Sequence, residues 1–255
     1  MPYRWPMRHD QIALQLYTVR GPAADDLAGT LRAVAAAGYR AVELAGLPET
    51  PPRELARLLD EAGLRVVASH ESIERLREDV TGVADRLAEV GCRRAIVPWM
   101  PEEDRRSADD VRRFAAELGG FASTLAERGV RIGYHNHAFE FEPLDGVTVW
   151  DALRAELPRE IELELDVYWA AVGGRDPVAE IRANPERIRL LHMKDMAAGA
   201  EPHDAPAGDG ILPFPEIVEA ARSTGVDWFV AEQDEPADAI ADIGRALRYL
   251  ESLAR

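Results

Sequence analysis

Short apolar runs alternate with longer amphipathic segments along the whole chain, and most changes between them are marked by glycine, proline or an Ala-Gly pair. The short runs have the length and composition of buried β-strands. The longer segments repeat apolar residues at helical spacing, as Leu27, Leu31 and Val34 do. The pattern therefore predicts a repeated strand-helix unit with eight strands. These strands are residues 11–18, 39–46, 65–71, 93–99, 131–137, 161–167, 188–195 and 228–234.

Eight strand-helix units within 255 residues predict an α/β protein that forms one closed (β/α)8 barrel, a TIM barrel. An open, doubly wound sheet usually carries a glycine-rich turn after its first strand, and LQLYTVRGP is not such a turn. We predict a tail at residues 1–10 and a single barrel domain at residues 11–255. Residues 196–213 are rich in Gly, Pro and Asp, which predicts a long loop after the seventh strand. A homodimer is a candidate assembly, with residues 1–9 as an arm.

The net charge of −16 disfavours nucleic acid as a partner, because proteins bind phosphate backbones mainly through Lys and Arg. No apolar run approaches the ~18 residues of a membrane span, and the N-terminal MPYRWPMRHD has neither an apolar signal core nor a cleavage site. The sequence therefore predicts a cytoplasmic protein without a nucleic-acid or membrane partner. The single cysteine, Cys92, has no partner for an internal disulfide and is expected to have a packing role.

Polar and ionisable residues lie at the C-terminal ends of most predicted strands. In a parallel barrel these ends meet at one mouth, where enzymes of this architecture carry their chemistry. A single histidine or aspartate at a strand end is usually a helix cap or half of an ion pair, but several together indicate a site. The residues at these ends are Glu43, His70, His135, His137, Asp166, His192, Lys194, Asp195, Glu232 and Gln233.

Asp166, His192 and Glu232 end three consecutive predicted strands, so their side chains are expected to point at one place. Uncompensated carboxylates there would repel each other and have raised pKa values, and a bound cation removes that conflict. Carboxylate oxygen and imidazole nitrogen without thiolate suit one divalent metal ion, Mn²⁺, Mg²⁺, Co²⁺ or Zn²⁺. Lys194 or Asp195, which follow His192 closely, either orients that histidine or contacts substrate.

Seven segments together resemble the sugar phosphate isomerase/epimerase family, which has the xylose-isomerase-like TIM barrel. In chain order they are LQLYTVR, GYRAVELAG, YHNHAFEF, DVYW, HMKD, GDG and VAEQDEP, and they span nearly the whole chain. The resemblance implies a metal-dependent enzyme acting on a sugar or cyclitol, with Asp166, His192 and Glu232 as three metal ligands. The better-understood epimerases look to have a Glu where this chain has His135, which leaves the fourth ligand open between His135 and Glu140. We favour Glu140, because a third acid offsets a divalent charge better.

Two other positions depart from the epimerase pattern. Trp169 stands where the epimerases look to have a His, and Lys194 stands where they look to have an Arg. The GYHNH segment resembles the related inosose dehydratases and 3-keto-glycoside lyases equally well. Gly208-Asp209-Gly210 is only a weak signal for a phosphate cradle. The expected substrate is therefore a carbohydrate or cyclitol, with or without a phosphate group.

The resemblance and the strand-end residues together imply a sugar or sugar phosphate isomerase or epimerase that removes a proton next to a carbonyl and stabilises the enediolate with its metal. Glu232 and His137 are the expected acid/base pair, assisted by His135 and Lys194. An inosose-type dehydratase or a 3-keto-glycoside lyase would use the same site. The residues expected to contact substrate hydroxyls or a sugar face are Gln15, Glu43, His70, Asn136 and Trp169, with Trp99 as a second candidate wall.

Two other classes of protein have barrels of this kind. A type-four apurinic endonuclease is similar in fold but uses a His-rich three-zinc cluster, whereas this acidic chain has six histidines. Of these, His9 lies in the tail and His203 in the long loop, so we disfavour a nuclease. A non-catalytic sugar-binding barrel would keep the pocket without an acid/base set, and it stands as the alternative of another class.

Overall fold

The structure, a computed structural model, describes residues 7–254. Within this range eight parallel strands form a closed barrel. The strands are β1 Ile12–Gln15, β2 Ala41–Leu44, β3 Arg65–His70, β4 Arg94–Val97, β5 Arg131–His135, β6 Glu162–Asp166, β7 Ile188–Met193 and β8 Trp228–Ala231. Each strand pairs with the next one along the chain, and β8 closes the barrel by pairing with β1. The predicted TIM barrel is confirmed.

Helices surround the barrel where the amphipathic segments predict them. Most begin after a Ser, Thr or Asp whose side chain accepts a backbone N–H of the first turn, as Ser72 does from Arg75 and Asp238 does from Ala241. Among the residues described, no helix has both the length and the apolar character needed to cross a bilayer. The helices are α1 Arg20–Asp25, α2 Leu27–Ala37, α3 Pro52–Ala62, α4 Ile73–Glu89, α5 Ala108–Ala126, α6 Val149–Glu156, α7 Val167–Val172, α8 Pro177–Ala183, α9 Phe214–Arg222 and α10 Ala239–Leu253.

The observed strands are shorter than the predicted ones, mainly where the chain leaves the barrel at the mouth. The predicted strand 11–18 ends at Gln15, because the next residues turn into a 3₁₀ helix whose Tyr17 N–H bonds to the Gln15 side chain. The predicted loop 196–213 is not wholly irregular, since part of it pairs as a ribbon. Two short antiparallel ribbons lie outside the barrel, Pro143–Leu144 with Val147–Thr148 and Asp195–Met196 with Asp204–Ala205.

The inside of the barrel is layered, because alternate residues of each strand face the axis. At the N-terminal end, Arg94 Nε donates to Glu162 Oε2 at 2.8 Å, and the Arg94 guanidinium also pairs with Asp227. Small and branched apolar residues fill the middle of the barrel, and polar residues line the mouth. The middle layer contains Ala13, Ala41, Val67, Ala68, Ile96, Leu190 and Val230. The apolar layer thus separates an ion-pair network at the bottom from the polar cluster at the mouth.

Cys92 and the N-terminal tail lie away from the mouth. Cys92 is buried, its thiol donates to the Arg94 carbonyl at 3.2 Å, and burial raises its pKa to about 12, in keeping with a packing role. In the tail, Met7 is buried and His9 Nδ1 lies 3.6 Å from Glu251. Residues 1–6, which make up most of the predicted dimer arm, lie outside the described residues.

Candidate active site

Ionisable side chains meet at the C-terminal end of the barrel. β6 contributes carboxylates on alternate residues, which all face the barrel interior: Glu162 at the bottom, Glu164 two residues further on and Asp166 at the mouth. Such a row follows from the side-chain alternation of a strand. The cluster at the mouth consists of Glu43, His70, His135, Glu164, Asp166, His192, Lys194 and Glu232, all buried except for a slightly exposed His70.

His192 lies at the centre of this cluster and divides it into two sets. Its Nδ1 is 2.7 Å from Glu232 Oε2, and its Nε2 is 2.8 Å from Glu43 Oε2 on the opposite side. Each set has potential ligand atoms within 4.8 Å of one another, a spacing that a metal ion could bridge. We call Asp166, His192 and Glu232 the rim set, and His70, His135, Glu164 and His192 the deep set.

The rim set combines two carboxylates with an imidazole and a lysine. Asp166 Oδ1 accepts the Trp169 N–H at 2.9 Å, so this residue also caps α7, but its buried Oδ2 makes no hydrogen bond within residues 7–254. Burial raises the pKa of Asp166 to about 6. Burial disfavours the Lys194 ammonium, yet the neighbouring carboxylates outweigh it and raise its pKa. Lys194 Nζ lies 3.1 Å from Asp166 Oδ2 and 2.9 Å from Glu232 Oε2, so it offsets part of their charge.

The deep set surrounds a single carboxylate oxygen with three imidazoles. Glu164 Oε2 lies 2.9 Å from His70 Nε2, 3.1 Å from His135 Nδ1 and 3.2 Å from His192 Nε2. Burial opposes the charged form of Glu164, but these histidines outweigh it and hold its pKa well below the ordinary range. Burial and the nearby Glu164 raise the pKa of Glu43 to about 7. Burial lowers the pKa of His135 to about 3, so this imidazole is neutral.

His137, one of the expected acid/base residues, lies among aromatic rings beside the cluster. Its ring centroid is 5.2 Å from that of Trp99 and 5.5 Å from that of Trp169. Burial lowers the pKa of His137 to about 2, and its Nδ1 is buried without a hydrogen-bond partner in the described chain. A neutral imidazole with a free nitrogen is able to accept a proton from a ligand.

Glu140, which we expected to be the fourth metal ligand, lies outside both sets. Its Oε1 accepts the Tyr134 hydroxyl hydrogen at 2.5 Å and its Oε2 accepts the His137 N–H at 2.7 Å. Both oxygens are thus engaged with the chain that leaves β5. Glu140 therefore lies where it fixes the backbone of His137. His135, the other candidate for the fourth metal ligand, lies in the deep set.

The buried carboxyl of Glu140 predicts a pH-dependent difference in stability. Burial raises its pKa to about 8 in the folded protein, against an ordinary value of about 4.3. The stability that the neutral carboxyl contributes is therefore complete below the ordinary pKa and is lost as the pH rises through the folded value. Glu140→Gln has no such loss, so we expect its stability relative to wild type to improve by roughly 4 kcal/mol between about pH 5, just above the ordinary pKa, and about pH 8.5, just above the folded one.

Urea unfolding of both proteins at the two pH values measures this difference. The matched control is Glu142→Gln, an exposed position two residues away, which is expected to show the same pH dependence as wild type. A Glu140→Gln curve that runs parallel to wild type across the range would contradict the prediction.

Asp195, considered beside Lys194 as a partner of His192 or of substrate, instead organises the long loop. Its carboxylate accepts backbone N–H groups from the residue that follows it and from three loop residues at 2.8–3.0 Å. Two of these donors belong to Gly208 and Gly210, the weak candidate for a phosphate cradle. A Cβ at Gly210 would lie 2.3 Å from Asp195 Oδ1. The GDG segment therefore binds an internal carboxylate and leaves no room there for phosphate.

Replacing Asp195 with alanine is expected to open the loop, because four backbone donors lose a charged acceptor. Hydrogen bonds to charged groups contribute roughly 1.5–3 kcal/mol each, so we expect amide exchange at Gly208 and Gly210 to accelerate at least ~100-fold. Hydrogen exchange followed by mass spectrometry of peptides covering the loop measures this. Asp209→Asn is the control, since the exposed Asp209 side chain pairs only with Arg245 among residues 7–254, and its loss should leave the exchange unchanged. Unaltered exchange in Asp195→Ala would refute the assignment.

The residues expected to bind substrate differ in whether their polar atoms are already hydrogen-bonded within the protein. Asn136 uses its amide on the Asp166 backbone, with Oδ1 accepting the Asp166 N–H at 3.0 Å, so it supports the end of β6. Gln15 Nε2 lies 3.4 Å from His70 Nε2, next to the deep set. Trp169 Nε1 is buried and makes no hydrogen bond to any residue between 7 and 254, which leaves its N–H available to a ligand.

Glu164 is the residue at this site that the sequence pattern did not single out. It stands inside the apolar-looking run IELELDV, two residues before Asp166. A signal was present, because Glu162, Glu164 and Asp166 alternate with leucines, and period-two alternation puts all three on one face of a strand. That face looks like the solvent side of an ordinary sheet. Only barrel closure turns it inward, towards the axis.

Comparison with known proteins agrees with this architecture. The family model described as xylose isomerase-like TIM barrel matches residues 31–253. The chain belongs to this family. The inosose dehydratase of Geobacillus kaustophilus (strain HTA426) is 26% identical to the chain over 194 residues, which cover 65% of the chain. The match spans 61% of that relative's own length.

Solved structures of this barrel type superpose over almost the entire chain. A sugar phosphate isomerase/epimerase from Parabacteroides distasonis ATCC 8503 matches with a TM-score of 0.82 at 23% identity, covering 96% of this chain and 95% of that one. The IOLI protein with a binding zinc atom matches with a TM-score of 0.74 at 15% identity, covering 96% of this chain and 98% of that one. At these identities the superpositions support the shared fold alone.

Proposed function

We propose that this barrel is a metal-dependent enzyme that removes the proton from a carbon beside the carbonyl of a sugar or cyclitol and returns it, as an isomerase or epimerase. The observation that carries the proposal is the rim set, in which Asp166, His192 and Glu232 are buried and offer ligand atoms within 4.8 Å of one another. Relatives within the family include proteins named for dehydratase and isomerase or epimerase activities.

The residues of the rim set fit a divalent cation. Two carboxylates and one imidazole are hard and borderline ligands of the kind that Mn²⁺, Mg²⁺, Co²⁺ and Zn²⁺ accept. Asp166, His192 and Glu232 would hold the ion, and Glu140 would not, because both of its oxygens are engaged elsewhere. When bound, such an ion polarises a substrate oxygen and makes the neighbouring C–H more acidic.

The proton acceptors that this chemistry needs are Glu232 and His137. Burial opposes the charged form of Glu232, but Lys194 and His192 outweigh it and hold its pKa well below the ordinary range, so it is an ionised base. His137 is neutral, and its Nδ1 makes no hydrogen bond within residues 7–254, so its lone pair is open to a substrate on the side of the aromatic rings. Two bases on opposite faces of one substrate carbon permit epimerisation, and one base that moves the proton to the neighbouring carbon permits isomerisation.

Lys194 and Trp169 complete the pocket. The Lys194 ammonium, 2.9 Å from Glu232 Oε2, is a donor to a substrate oxygen that gains negative charge. Trp169 Nε1–H lacks an acceptor among the described residues, and Lys194 Nζ lies 5.3 Å from the centre of its ring. A sugar hydroxyl would satisfy this donor, and the ring would cover the apolar face of the sugar.

A second candidate function is the elimination of water from an inosose-like ketone. The inosose dehydratase relative favours it, together with the GYHNH segment of β5 and the residues that follow. The first step, removal of the proton beside the carbonyl, is shared. The outcome then depends on whether a β-hydroxyl leaves before the proton returns.

Deuterium exchange followed by NMR tests both functions. The protein, with its metal content measured, is incubated in D₂O with a panel of ketoses, inososes and 3-keto-glycosides, and a chelator-treated sample serves as the control. Deuterium beside the carbonyl of an intact substrate supports an isomerase or epimerase, and loss of a hydroxyl with formation of an enone supports a dehydratase. A metal-loaded protein that binds a sugar but exchanges no proton would instead be a non-catalytic binding barrel.

A further inference from the structure

We infer that the deep set is a second cation site, in which His70, His135, Glu164 and the Nε2 of His192 bind a divalent transition metal below the rim set. This second cation site goes beyond the proposed function, which uses only the rim set. Its potential ligands come from β3, β5, β6 and β7, so the site exists only in the closed barrel.

The spacing of these atoms is that of a coordination shell. A tetrahedral site with bonds of about 2.1 Å has its ligand atoms about 3.4 Å apart. Here the Glu164 oxygen lies 2.9–3.2 Å from one nitrogen of each histidine, and all four ligand atoms lie within 4.8 Å of one another. The His135 and His192 rings are 4.5 Å apart and the His70 and His192 rings 5.5 Å apart, so the three imidazoles pack against one another beside the Glu164 carboxylate.

The charged groups that surround the deep set differ from those that surround the rim set. The carboxylates of the rim set have Lys194 beside them, but within residues 7–254 Glu43 and Glu164 form ion pairs with histidines alone. Both Glu43 Oε1 and Glu164 Oε1 are buried and make no hydrogen bond in this part of the chain. The compensating charge at the deep set therefore comes from histidines that lose it on deprotonation, and a divalent ion would replace it and bind an oxygen that has no hydrogen-bond partner among the residues described.

Hydrogen bonding alone also satisfies the cluster poorly. His192 Nδ1 faces Glu232 and its Nε2 faces Glu43 and Glu164, so bonds on both sides require a hydrogen on each ring nitrogen. Glu164 Oε2 would then accept from three imidazoles while its other oxygen accepts from none. A metal ion instead takes a lone pair from each nitrogen. With only the deep set filled, His192 keeps its Nδ1–H on Glu232 at 2.7 Å, the carboxylate-histidine arrangement that orients metal-bound imidazoles. With both sets filled, the ring gives up that hydrogen and bridges the two ions as an imidazolate.

The two sets differ in the metal that they suit. Three imidazoles and one carboxylate favour Zn²⁺, Co²⁺ or another borderline transition metal and disfavour Mg²⁺, which prefers oxygen ligands. The rim set is richer in oxygen and suits Mn²⁺ or Mg²⁺ as well. A transition metal in the deep set holds His192, and through it Glu232, in place beneath the substrate.

Metal titration of the full chain tests the inference. Chelator-treated protein is titrated with Co²⁺, and the bound ion is counted by elemental analysis and followed by its visible absorption. We expect two ions per chain in wild type and one in Glu164→Gln and in His70→Gln. Asp166→Asn should also bind one, while the exposed Glu160→Gln, on the segment that leads into β6, should bind as wild type does. Circular dichroism verifies that each variant is folded.

The variants distinguish failure of the deep site from failure of the rim site. Wild-type stoichiometry in both Glu164→Gln and His70→Gln overturns this inference and leaves the proposed function standing. Loss of an ion in those two variants, with none lost in Asp166→Asn, supports the deep site and removes the rim metal. X-ray absorption of Asp166→Asn protein loaded with one equivalent of Zn²⁺ observes the deep site directly, because the rim set has lost a ligand: three imidazoles around the ion support the deep site, and a single imidazole overturns it.

Discussion

Replacing Glu232 with glutamine is expected to lower the rate of deuterium exchange into the substrate by about 10³-fold, the middle of the range for general acid-base residues. The side chain is an ionised base held by His192 Nδ1 at 2.7 Å and Lys194 at 2.9 Å. Glutamine has nearly the same shape but has no proton affinity in this range, and its NH₂ group faces two donors. The variant therefore lacks the basic carboxylate, and its amide is no longer held by His192 and Lys194.

Initial rates of exchange at saturating substrate, measured by NMR with equal metal loading, quantify this effect. Glu235→Gln is the matched control, because that carboxylate is three residues away and highly exposed, with Arg20 as its partner. The control should stay within about twofold of wild type, since exposed ion pairs contribute little. Comparable rates in Glu232→Gln and wild type would exclude Glu232 as a base and direct attention to His137.

Replacing Arg94 with methionine is expected to lower the free energy of unfolding by about 3 kcal/mol, because breaking a buried ion pair leaves an uncompensated carboxylate. The Arg94 guanidinium donates to Glu162 Oε2 at 2.8 Å and pairs with Asp227 at the bottom of the barrel. Glu162 retains Arg131 at 2.6 Å, and Asp227 retains Arg189 at 2.6 Å, which keeps the expected loss at the lower end of the range for such pairs.

Reversible urea unfolding measures the loss, and the neighbouring Arg93 supplies the control. Arg93 is exposed and, within the described part of the chain, its guanidinium donates only to the Arg128 backbone carbonyl, so Arg93→Met should change stability by less than about 0.5 kcal/mol. In the double variant Arg94→Met/Glu162→Leu, both charges are absent and part of the stability should return. Equal stability of Arg94→Met and Arg93→Met would show that the network at the barrel bottom does not hold the strands together.

The strand pattern predicted the barrel because each strand carries its own local signal. Runs such as 95–97 and 228–231 are apolar on both faces, as parallel strands packed between a barrel interior and a layer of helices must be. The long loop was visible from composition, but its internal ribbon was not. That ribbon depends on the contact of Asp195–Met196 with residues eight or more positions further along the chain.

At the site, the sequence indicated the strand ends and therefore most members of the cluster. Asp166, His192 and Glu232 were predicted to meet, and the structure brings them together. The position of Glu140 could not be predicted, because its carboxylate reaches back to Tyr134 and to the His137 backbone only in the folded turn after β5. The role of Asp195 could not be predicted either, because the four backbone N–H groups that donate to its carboxylate lie up to seventeen residues further along the chain.

The sequence by itself determined which residues end the strands, and hence that a carboxylate- and histidine-rich mouth exists at one end of a barrel. Period-two alternation and helical spacing are properties of neighbouring residues, so they are readable without coordinates. Only the tertiary structure decided how the mouth is divided, with Lys194 beside the carboxylates of the rim set and three imidazoles around Glu164 in the deep set. That division depends on barrel closure and strand register, which set distances across strands that no local pattern encodes.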